Sequence, residues 1–233
     1  MYLKSILKKK QSKIFFKKSK NNDNIFTEKK RQIMKINYDN IFNDIVKSLD
    51  DTPTVLLHSC CAPCSSYVLS VLAESFKVTV LYYNPNIEPK EEYEKRKEEQ
   101  KKFITQFKGK NEIKFLDCDY ENESFKEMAK GYENAPEGGE RCHRCYNLRM
   151  EKTCILAKQM GFDYFCTTLS VSPYKNSQVL NQIGHDLEEK YGIKYLYSDF
   201  KKNDGYKKSI EYSKKYNLYR QNYCGCNYSK PKE

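Results

Sequence analysis

The stretch TVLLHSCCAPCSSYVLSVLAESFKVTVLYYN, residues 54–84, decides the fold. Its two ends, TVLLH (54–58) and VTVLYYN (78–84), are short β-branched and aromatic runs typical of buried parallel strands. The segment between them places apolar residues at helical spacing, namely Val68, Leu69, Leu72 and Phe76. A strand, a helix and a second strand in this order predict a right-handed βαβ unit.

The same alternation continues along the rest of the chain. Further strands are predicted at 112–119, 163–170 and 194–200, and helices at 89–107, 144–161, 176–192 and 206–217. The sequence therefore predicts an α/β fold, a parallel sheet of about five strands with helices on both faces. Ligands bind outside the carboxyl ends of strands in such sheets, so we expect a site after the first strand. No Gly-rich phosphate loop occurs there.

Positive charge is concentrated at the N-terminus. Residues 1–37 contain twelve Lys and Arg against two acidic residues, so they carry +10 of the net +11 and leave the remainder close to neutral. We interpret residues 1–37 as a basic, flexible extension, with phosphate contacts to nucleic acid as the alternative role. Residues 38–233 are predicted to form a single α/β catalytic domain with a cysteine-bearing C-terminal segment.

The ten cysteines point to metal or redox chemistry. We expect a cytoplasmic protein, because the N-terminus lacks the apolar core of a signal peptide and no segment approaches the roughly 18–20 apolar residues of a membrane span. We therefore expect no membrane partner. In a cytoplasmic chain, grouped thiols are typical of metal sites and redox centres rather than of structural disulfides.

Seven cysteines form three groups, which are Cys60, Cys61 and Cys64 in CCAPC, Cys142 and Cys145 in a CxxC, and Cys224 and Cys226 in CGC. Four thiolates from two loops can close around zinc or an iron–sulfur cluster. Neighbouring side chains on an extended backbone point apart, which disfavours Cys60 and Cys61 as ligands of one zinc ion. Seven grouped cysteines also exceed the needs of one structural ion, so iron–sulfur is favoured.

The remaining candidates have simpler interpretations. The CGC pair suits a mobile redox dithiol or soft-metal capture, and an inactive C-terminal loop is the alternative. Cys154 and Cys166 lie inside a predicted helix and strand, where a free thiol packs as a small hydrophobe. His58 is expected to be a buried, hydrogen-bonded histidine. Cys118 ends a strand, and a place in the site is the less favoured reading.

Taken together, these motifs resemble those of the cobalamin-independent epoxyqueuosine reductase family, QueH. The resemblance runs from about residue 50 to residue 229 and rests on the following motifs in order: LLHSCCAPCSS, YYNPNIEPKEEYEKR, ERCHRCYNLRM, TTLSVSPYKNSQ, SDFKKNDGYKKSIE and LYRQNYCGCNYS. The complete set is far more specific than any one motif. The lysine-rich N-terminus lies outside it.

The resemblance implies an oxidoreductase that reduces epoxyqueuosine to queuosine at the wobble position of tRNA. It also implies a fold similar to that of the adenine-nucleotide α-hydrolase-like (HUP) proteins. The implied cofactors are a [4Fe–4S] cluster and an additional mononuclear iron, without cobalamin. The implied partners are tRNA bearing epoxyqueuosine and an external one-electron donor such as ferredoxin or flavodoxin.

Carried over residue by residue, the resemblance assigns Cys60, Cys61, Cys142 and Cys145 to the cluster. It places Cys64 near the second iron, as ligand or redox partner, with a carboxylate such as Asp119 or Asp199. Candidate proton donors are Tyr174, Asp199 and His58. Candidate nucleotide-binding residues are Asn84, Asn86, Lys175 and Arg220, with turn formation as the alternative role for the asparagines and ordinary solvated charges for the other two.

Two other classes remain open at this point. An ATP-dependent tRNA-thiolating enzyme of the PP-loop type would also have a parallel sheet and cysteine pairs, but it would need an SGGxDS-like loop after the first strand. A zinc-stabilised RNA-binding module would need no catalytic centre.

Overall fold

The computed structural model describes residues 36–230. The basic extension predicted for residues 1–37 lies almost wholly outside this range and stays a prediction. The strands are β1 Thr54–His58, β2 Lys77–Leu81, β3 Ile113–Leu116, β4 Tyr164–Thr167 and β5 Lys194–Tyr195. The helices are α1 Tyr38–Lys47, α2 Ala62–Leu72, α3 Lys90–Gln106, α4 Asn122–Ala129, α5 Glu140–Gln159, α6 Ser177–Tyr191 and α7 Gly205–Lys215.

All five strands run parallel, in the order β3-β2-β1-β4-β5. This arrangement confirms the predicted fold class. At the end of β1, His58 pairs with Leu81 on one side and Thr167 on the other. From β1 the sheet extends first to β2 and β3 on one side, and β4 and β5 are then added on the other side of β1. The direction in which strands are added therefore reverses between β1 and β4. In a parallel α/β sheet, a crevice opens beyond the carboxyl ends of the strands at such a point.

The helices form two groups around this sheet. Helix α2 packs against α3 and α7, whereas α5 packs against α4 and α6. The core between these layers includes Val55, Leu56 and Leu57 of β1, which are fully buried because a central strand is covered on both faces. No helix within residues 36–230 has the length and apolar content needed to cross a bilayer.

Several element boundaries differ from the sequence-based expectation. Strand β5 was predicted over 194–200 but ends at Tyr195, because the amide side chain of Asn181 takes over the backbone bonds of Ser198. Strand β4 ends at Thr167, whose hydroxyl accepts a hydrogen bond from the N–H of Leu169 and starts a short 3-10 turn. Side-chain bonds to the backbone compete with strand pairing in this way.

Two helices were not predicted. In α1 the buried residues Tyr38, Phe42 and Ile45 recur at helical spacing, and Asn37 caps the helix by accepting from the N–H groups of Asp39 and Asn40. Helix α4 is short and buries Phe125 and Ala129. With eight residues it is too short to show a clear helical periodicity in the sequence.

We predict that Gly184→Ala will destabilise the fold. Alanine normally favours a helix over glycine by about 1 kcal/mol, but a Cβ atom at Gly184 would lie 2.3 Å from the Tyr195 ring. Overpacking of this kind costs about 1–3 kcal/mol. Urea denaturation should therefore show a lower free energy of unfolding. The exposed variant Asp186→Ala on the same helix is the control, with an expected change within about 0.5 kcal/mol. A stability gain in Gly184→Ala would contradict the described packing of α6 on β5.

Candidate metal and active site

Three thiols meet where β1 ends and α2 begins. The Sγ atoms of Cys60, Cys61 and Cys64 all lie within 4.8 Å of one another, and the residues described contain no other group of three or more potential metal ligands at this spacing. Cys61 is the N-cap of α2, and Pro63 lies in the first turn, where its missing N–H costs no hydrogen bond. This turn brings Cys64 back over the other two thiols. We call these three residues the thiol triad.

The sulfur atoms of Cys60 and Cys61 lie closer together than the sequence-based expectation. Their sulfur atoms are 3.9 Å apart, although side chains of neighbours on extended backbone should point apart. The backbone bends at Cys60, while Cys61 itself is extended, so the alternation of a strand no longer applies beyond His58. The argument that adjacent cysteines disfavour a single metal ion is therefore wrong for this chain. The triad offers a soft thiolate donor set that suits either zinc or iron–sulfur chemistry.

The triad favours one thiolate among three thiols. Hydrogen bonds from Cys61 and Cys64, supported by the charge of Lys175, hold the pKa of Cys60 well below its usual range despite burial. The same hydrogen bond raises the pKa of Cys61 to about 12, and the pKa of Cys64 is also raised by its bonds to Cys60 and Cys61. Metal binding to all three thiols would therefore release protons from Cys61 and Cys64.

Two residues that the sequence did not single out support the triad. The N–H of Cys60 donates to Thr168 Oγ1 at 3.2 Å, and this hydroxyl donates to Cys60 Sγ at 3.5 Å. Gln221 forms a side-chain hydrogen bond with Cys61. Thr168 could have been found because it follows β4, the neighbour of β1. Gln221 carried no comparable signal in the sequence.

The CxxC motif lies in the first two turns of α5. The N–H of Gly138 donates to Cys142 Sγ at 3.3 Å. Cys145 is buried, and burial raises the pKa of its thiol to about 12. Neither cysteine belongs to the thiol triad as spaced above. Instead, both line a small cavity that they share with Cys224 and Cys226.

The CGC segment is fixed to the β2–α3 connection through its backbone. Arg96 Nη1 donates to the carbonyl of Cys224 at 3.2 Å, and the N–H of Glu88 donates to the carbonyl of Gly225 at 2.9 Å. Gly225 has φ of +124°, and a Cβ atom there would lie 2.8 Å from Ile87 Cγ1. Glycine is therefore required for this approach. The thiols of Cys224 and Cys226 are both free in this structure.

Arg149 links the two parts of the site. It lies one turn after Cys145 in α5 and is only 1% exposed. Its Nε donates to the Cys145 carbonyl at 3.2 Å, and Nη1 donates to Asn84 Oδ1 at 3.5 Å. Burial acts to lower the pKa of Arg149, but attraction to the sulfurs of Cys145, Cys224 and Cys60 in their deprotonated form outweighs burial and raises the pKa. The guanidinium therefore stays charged beside both cysteine motifs.

Lys175 is a second cation near the triad. Its side chain is half-buried in the connection between β4 and α6. Burial acts to lower its pKa, yet attraction to the sulfurs of Cys224, Cys60 and Cys64 in their deprotonated form outweighs burial and raises it. The sequence predicted Lys175 as a nucleotide-binding residue, and the structure places its charge beside the triad.

The two predicted asparagines are both buried. Asn84 Nδ2 donates to the Ser59 carbonyl at 2.8 Å, which fixes the segment just before the triad. Asn86 lines the cavity that contains Cys142 and Cys145, and its Oδ1 has no hydrogen-bond partner. An unpartnered buried acceptor is unfavourable unless a ligand or water satisfies it, so Asn86 is available to a bound group.

Asp199 and Tyr174 occupy different surroundings. Asp199 is buried, and its Oδ2 accepts from Ser177 Oγ at 2.9 Å, while Lys201 Nζ lies 3.7 Å from Oδ1. Lys201 Nζ also donates to the carbonyl of Lys175, which ties Asp199 to the connection that carries Lys175. Tyr174 is 82% exposed to solvent.

Arg220 contacts helix α7. Its Nη1 donates to Ser213 Oγ at 3.0 Å, and its guanidinium lies 5.8 Å from the ring centre of Tyr206, so its described contacts are with α7. Cys118 and Asp119 follow β3, the edge strand, two strands away from β1. The structure therefore does not bring Asp119 or Cys118 to the end of β1.

His58, Cys154 and Cys166 are buried as the sequence suggested. His58 Nε2 lies 3.2 Å from the Tyr83 carbonyl, and Nδ1 lies 2.9 Å from Thr167 Oγ1. Burial, aided by the charge of Arg149, lowers the pKa of His58 to about 3, so the ring is neutral. Both of its nitrogens are occupied. Cys154 and Cys166 lie in the hydrophobic core.

Comparison with known proteins identifies the family. The family model for epoxyqueuosine reductase QueH matches residues 55–232. The epoxyqueuosine reductase QueH of Streptococcus pyogenes serotype M1 is 44% identical, over 84% of this chain and 78% of that protein. The QueH proteins of Staphylococcus epidermidis (42%, covering 88% and 89%) and Thermotoga maritima (37%, covering 76% and 90%) are also similar.

Among solved structures, the chain is similar to the U34-tRNA thiolase NcsA from Methanococcus maripaludis with its [4Fe-4S] cluster. The TM-score is 0.49 at 12% identity, and the alignment covers 83% of this chain and 67% of that one. The family model matches more than half of this chain, and relatives of 37–44% identity align with most of it. This chain therefore belongs to the epoxyqueuosine reductase QueH family.

Proposed function

We propose that this protein is an oxidoreductase that reduces epoxyqueuosine to queuosine at the wobble position of tRNA. The observation that carries this proposal is the family match over residues 55–232, which spans the thiol triad, the CxxC motif and the CGC segment. The position of the triad at the carboxyl end of β1, beside the reversal of strand order, supports it. A tRNA substrate would place the reaction in the cytoplasm.

The residues present fit an iron–sulfur centre. The triad provides clustered thiols, and Arg149 supplies positive charge that faces both Cys60 and Cys145. We assign Cys60, Cys61, Cys142 and Cys145 to a [4Fe–4S] cluster, and Cys64 to an additional mononuclear iron, without cobalamin. When bound, such a centre supplies single electrons and a Lewis acid for the epoxide oxygen.

The reaction balances as a two-electron reduction. Removal of the epoxide oxygen breaks its two C–O bonds, leaves a carbon–carbon double bond, and releases the oxygen as water after two protons and two electrons are taken up. An external one-electron carrier such as ferredoxin or flavodoxin provides the electrons in two steps. Cys224 and Cys226 form a dithiol that can be oxidised and reduced beside Cys145, and we assign them a redox role.

The charged and polar side chains near the triad have separate tasks. Lys175 keeps a positive charge there, so it can hold a developing oxyanion or give a proton from Nζ. Asp199 orients the same connection through Lys201, which donates to the Lys175 carbonyl. Tyr174 is exposed and free to stack on a nucleobase or to donate its phenol proton. His58 is neutral with both nitrogens engaged, so we assign it no proton transfer.

The rival functions have weaker support. A thiolating enzyme of the PP-loop type would need a glycine-rich phosphate loop after β1, and residues 59–66 read SCCAPCSS. A zinc-stabilised RNA-binding module is chemically compatible with the triad. The metal content of the purified protein distinguishes such a module from the reductase.

We predict that the protein purified without oxygen contains about four acid-labile sulfides and four to five irons per chain. Its visible absorption should bleach with dithionite, and it should convert epoxyqueuosine in tRNA to queuosine, as measured by nucleoside mass spectrometry. Cys145→Ser should lose the chromophore and the activity, because Cys145 is assigned as a cluster ligand. The matched control, Cys154→Ala on the same helix, removes a core thiol and should keep both. Stoichiometric zinc without sulfide would refute the proposal, and full iron and sulfide in Cys145→Ser would refute the ligand assignment.

We predict that Gly225→Ala will release the CGC segment. Alanine strongly disfavours φ near +124°, and its Cβ atom would collide with Ile87. Hydrogen exchange should therefore accelerate at the amides of residues 221–229, with a loss of turnover if the dithiol takes part in the reaction. Asn227→Ala, an exposed position in the same segment, is the control and should leave exchange unchanged. Unchanged exchange in Gly225→Ala would contradict the described docking.

If residues 1–37 have the alternative role, they contact tRNA phosphates. A chain that begins at Tyr38 should then bind tRNA more weakly, and its affinity should depend less steeply on salt, by about 0.7–0.9 in the log–log slope for each lost phosphate contact. Filter binding at several salt concentrations measures both quantities. An unchanged slope would show that this segment does not touch the RNA.

A further inference from the structure

Two arginines are the largest fully buried side chains of the described structure, Arg96 and Arg149. Arg96 has a carboxylate partner, because its Nε lies 2.7 Å from Glu92 Oε1. Arg149 pairs with no Asp or Glu within residues 36–230; its bonds go to a carbonyl and to an amide oxygen. A buried charge without a counter-ion is unfavourable, so an unpaired guanidinium at this depth requires an explanation.

Part of the Arg149 guanidinium has no hydrogen-bond partner. Its Nη2 is buried without a hydrogen-bond partner, and so is Oδ1 of Asn86. Both residues line the small cavity that also contains Cys142, Cys145, Cys224 and Cys226. An orphan donor and an orphan acceptor in one thiol-lined cavity indicate a site that is completed by a polar or charged group.

We infer that Arg149 is the counter-charge of the iron–sulfur centre and sets its reduction potential. This inference rests on the proposed function. Four thiolates around an iron–sulfur core leave a negative centre, and each added electron makes it more negative. A fixed positive charge and a hydrogen-bond donor in a low-dielectric surrounding stabilise the reduced state more than the oxidised state, which raises the potential. Arg149 is thus a positioning residue that acts through the centre rather than on the substrate.

A purely structural role is the competing explanation. The bonds from Arg149 to the Cys145 carbonyl and to Asn84 connect α5 to the segment after β2, and they use the fork of the guanidinium. Lysine keeps the charge and loses this fork, whereas methionine keeps much of the length and loses the charge. The two substitutions therefore separate electrostatics from geometry.

The experiment is a redox titration of the anaerobically purified protein, followed by electron paramagnetic resonance of the reduced centre. In Arg149→Met the equilibrium constant for reduction should fall at least about tenfold, which is about 59 mV for a one-electron couple. In Arg149→Lys it should stay within about threefold of the wild type, because the charge is retained. The matched control is Arg144→Gln, which removes an exposed, ion-paired cation from the same helix and should also stay within about threefold.

Each outcome decides between the explanations. If Arg149→Met folds but loses iron and sulfide while Arg149→Lys keeps them, the charge is needed to assemble the centre, and the inference is supported. An Arg149→Met protein with full iron and sulfide and a potential within threefold of wild type would overturn the inference. Failure of both variants, in folding or in cluster retention, would assign the requirement to the guanidinium fork and would also overturn it. Absence of iron and sulfide from the wild-type protein would instead refute the proposed cofactor on which the inference rests.

Discussion

Parallel pairing between β1 and β4 aligns His58 with Thr167, and the site is built outward from that pair. Just beyond it, the N–H of Cys60 and the hydroxyl of Thr168 bond to each other, so the first thiol of the triad is attached to the neighbouring strand. Beyond this pair the chain leaves the two strands in different directions. At this point of the sheet, helix α2 begins with cysteines and a proline rather than with a glycine-rich loop.

Positive charge near these thiols links binding of the proposed metal centre to folding of the protein. The pKa values of Arg149 and Lys175 are both raised by attraction to nearby cysteine sulfurs in their deprotonated form. Without such charge, the burial of Arg149 would cost on the order of several kcal/mol. A thiolate-bound metal centre supplies permanent negative charge there, so cofactor binding and folding should stabilise each other. The same charges that hold the centre also bias its electron affinity.

The sequence predicted the elements that depend on local pattern and missed those that depend on distant side chains. The βαβ alternation identified all five strands, and the CCAPC motif brings its three thiols together at the end of β1, where the sequence placed them. The early end of β5 depends on Asn181, which lies on helix α6 and not in the strand itself. The contact of Gln221 with Cys61 joins segments that are far apart in sequence. The closeness of Cys60 and Cys61 follows from the backbone bend at Cys60, which a strand-like reading of adjacent residues cannot represent.

The CGC segment, to which we assign a redox role, is held in place while its two cysteines form no disulfide. Its attachment uses the carbonyl of Cys224, bonded by Arg96, and the carbonyl of Gly225, bonded by the N–H of Glu88. Both anchors are backbone groups, so oxidation or reduction of the thiols does not remove them. Arg96 is in turn fixed by Glu92 within α3. The segment can therefore change its redox state beside Cys145 without losing its attachment to the domain.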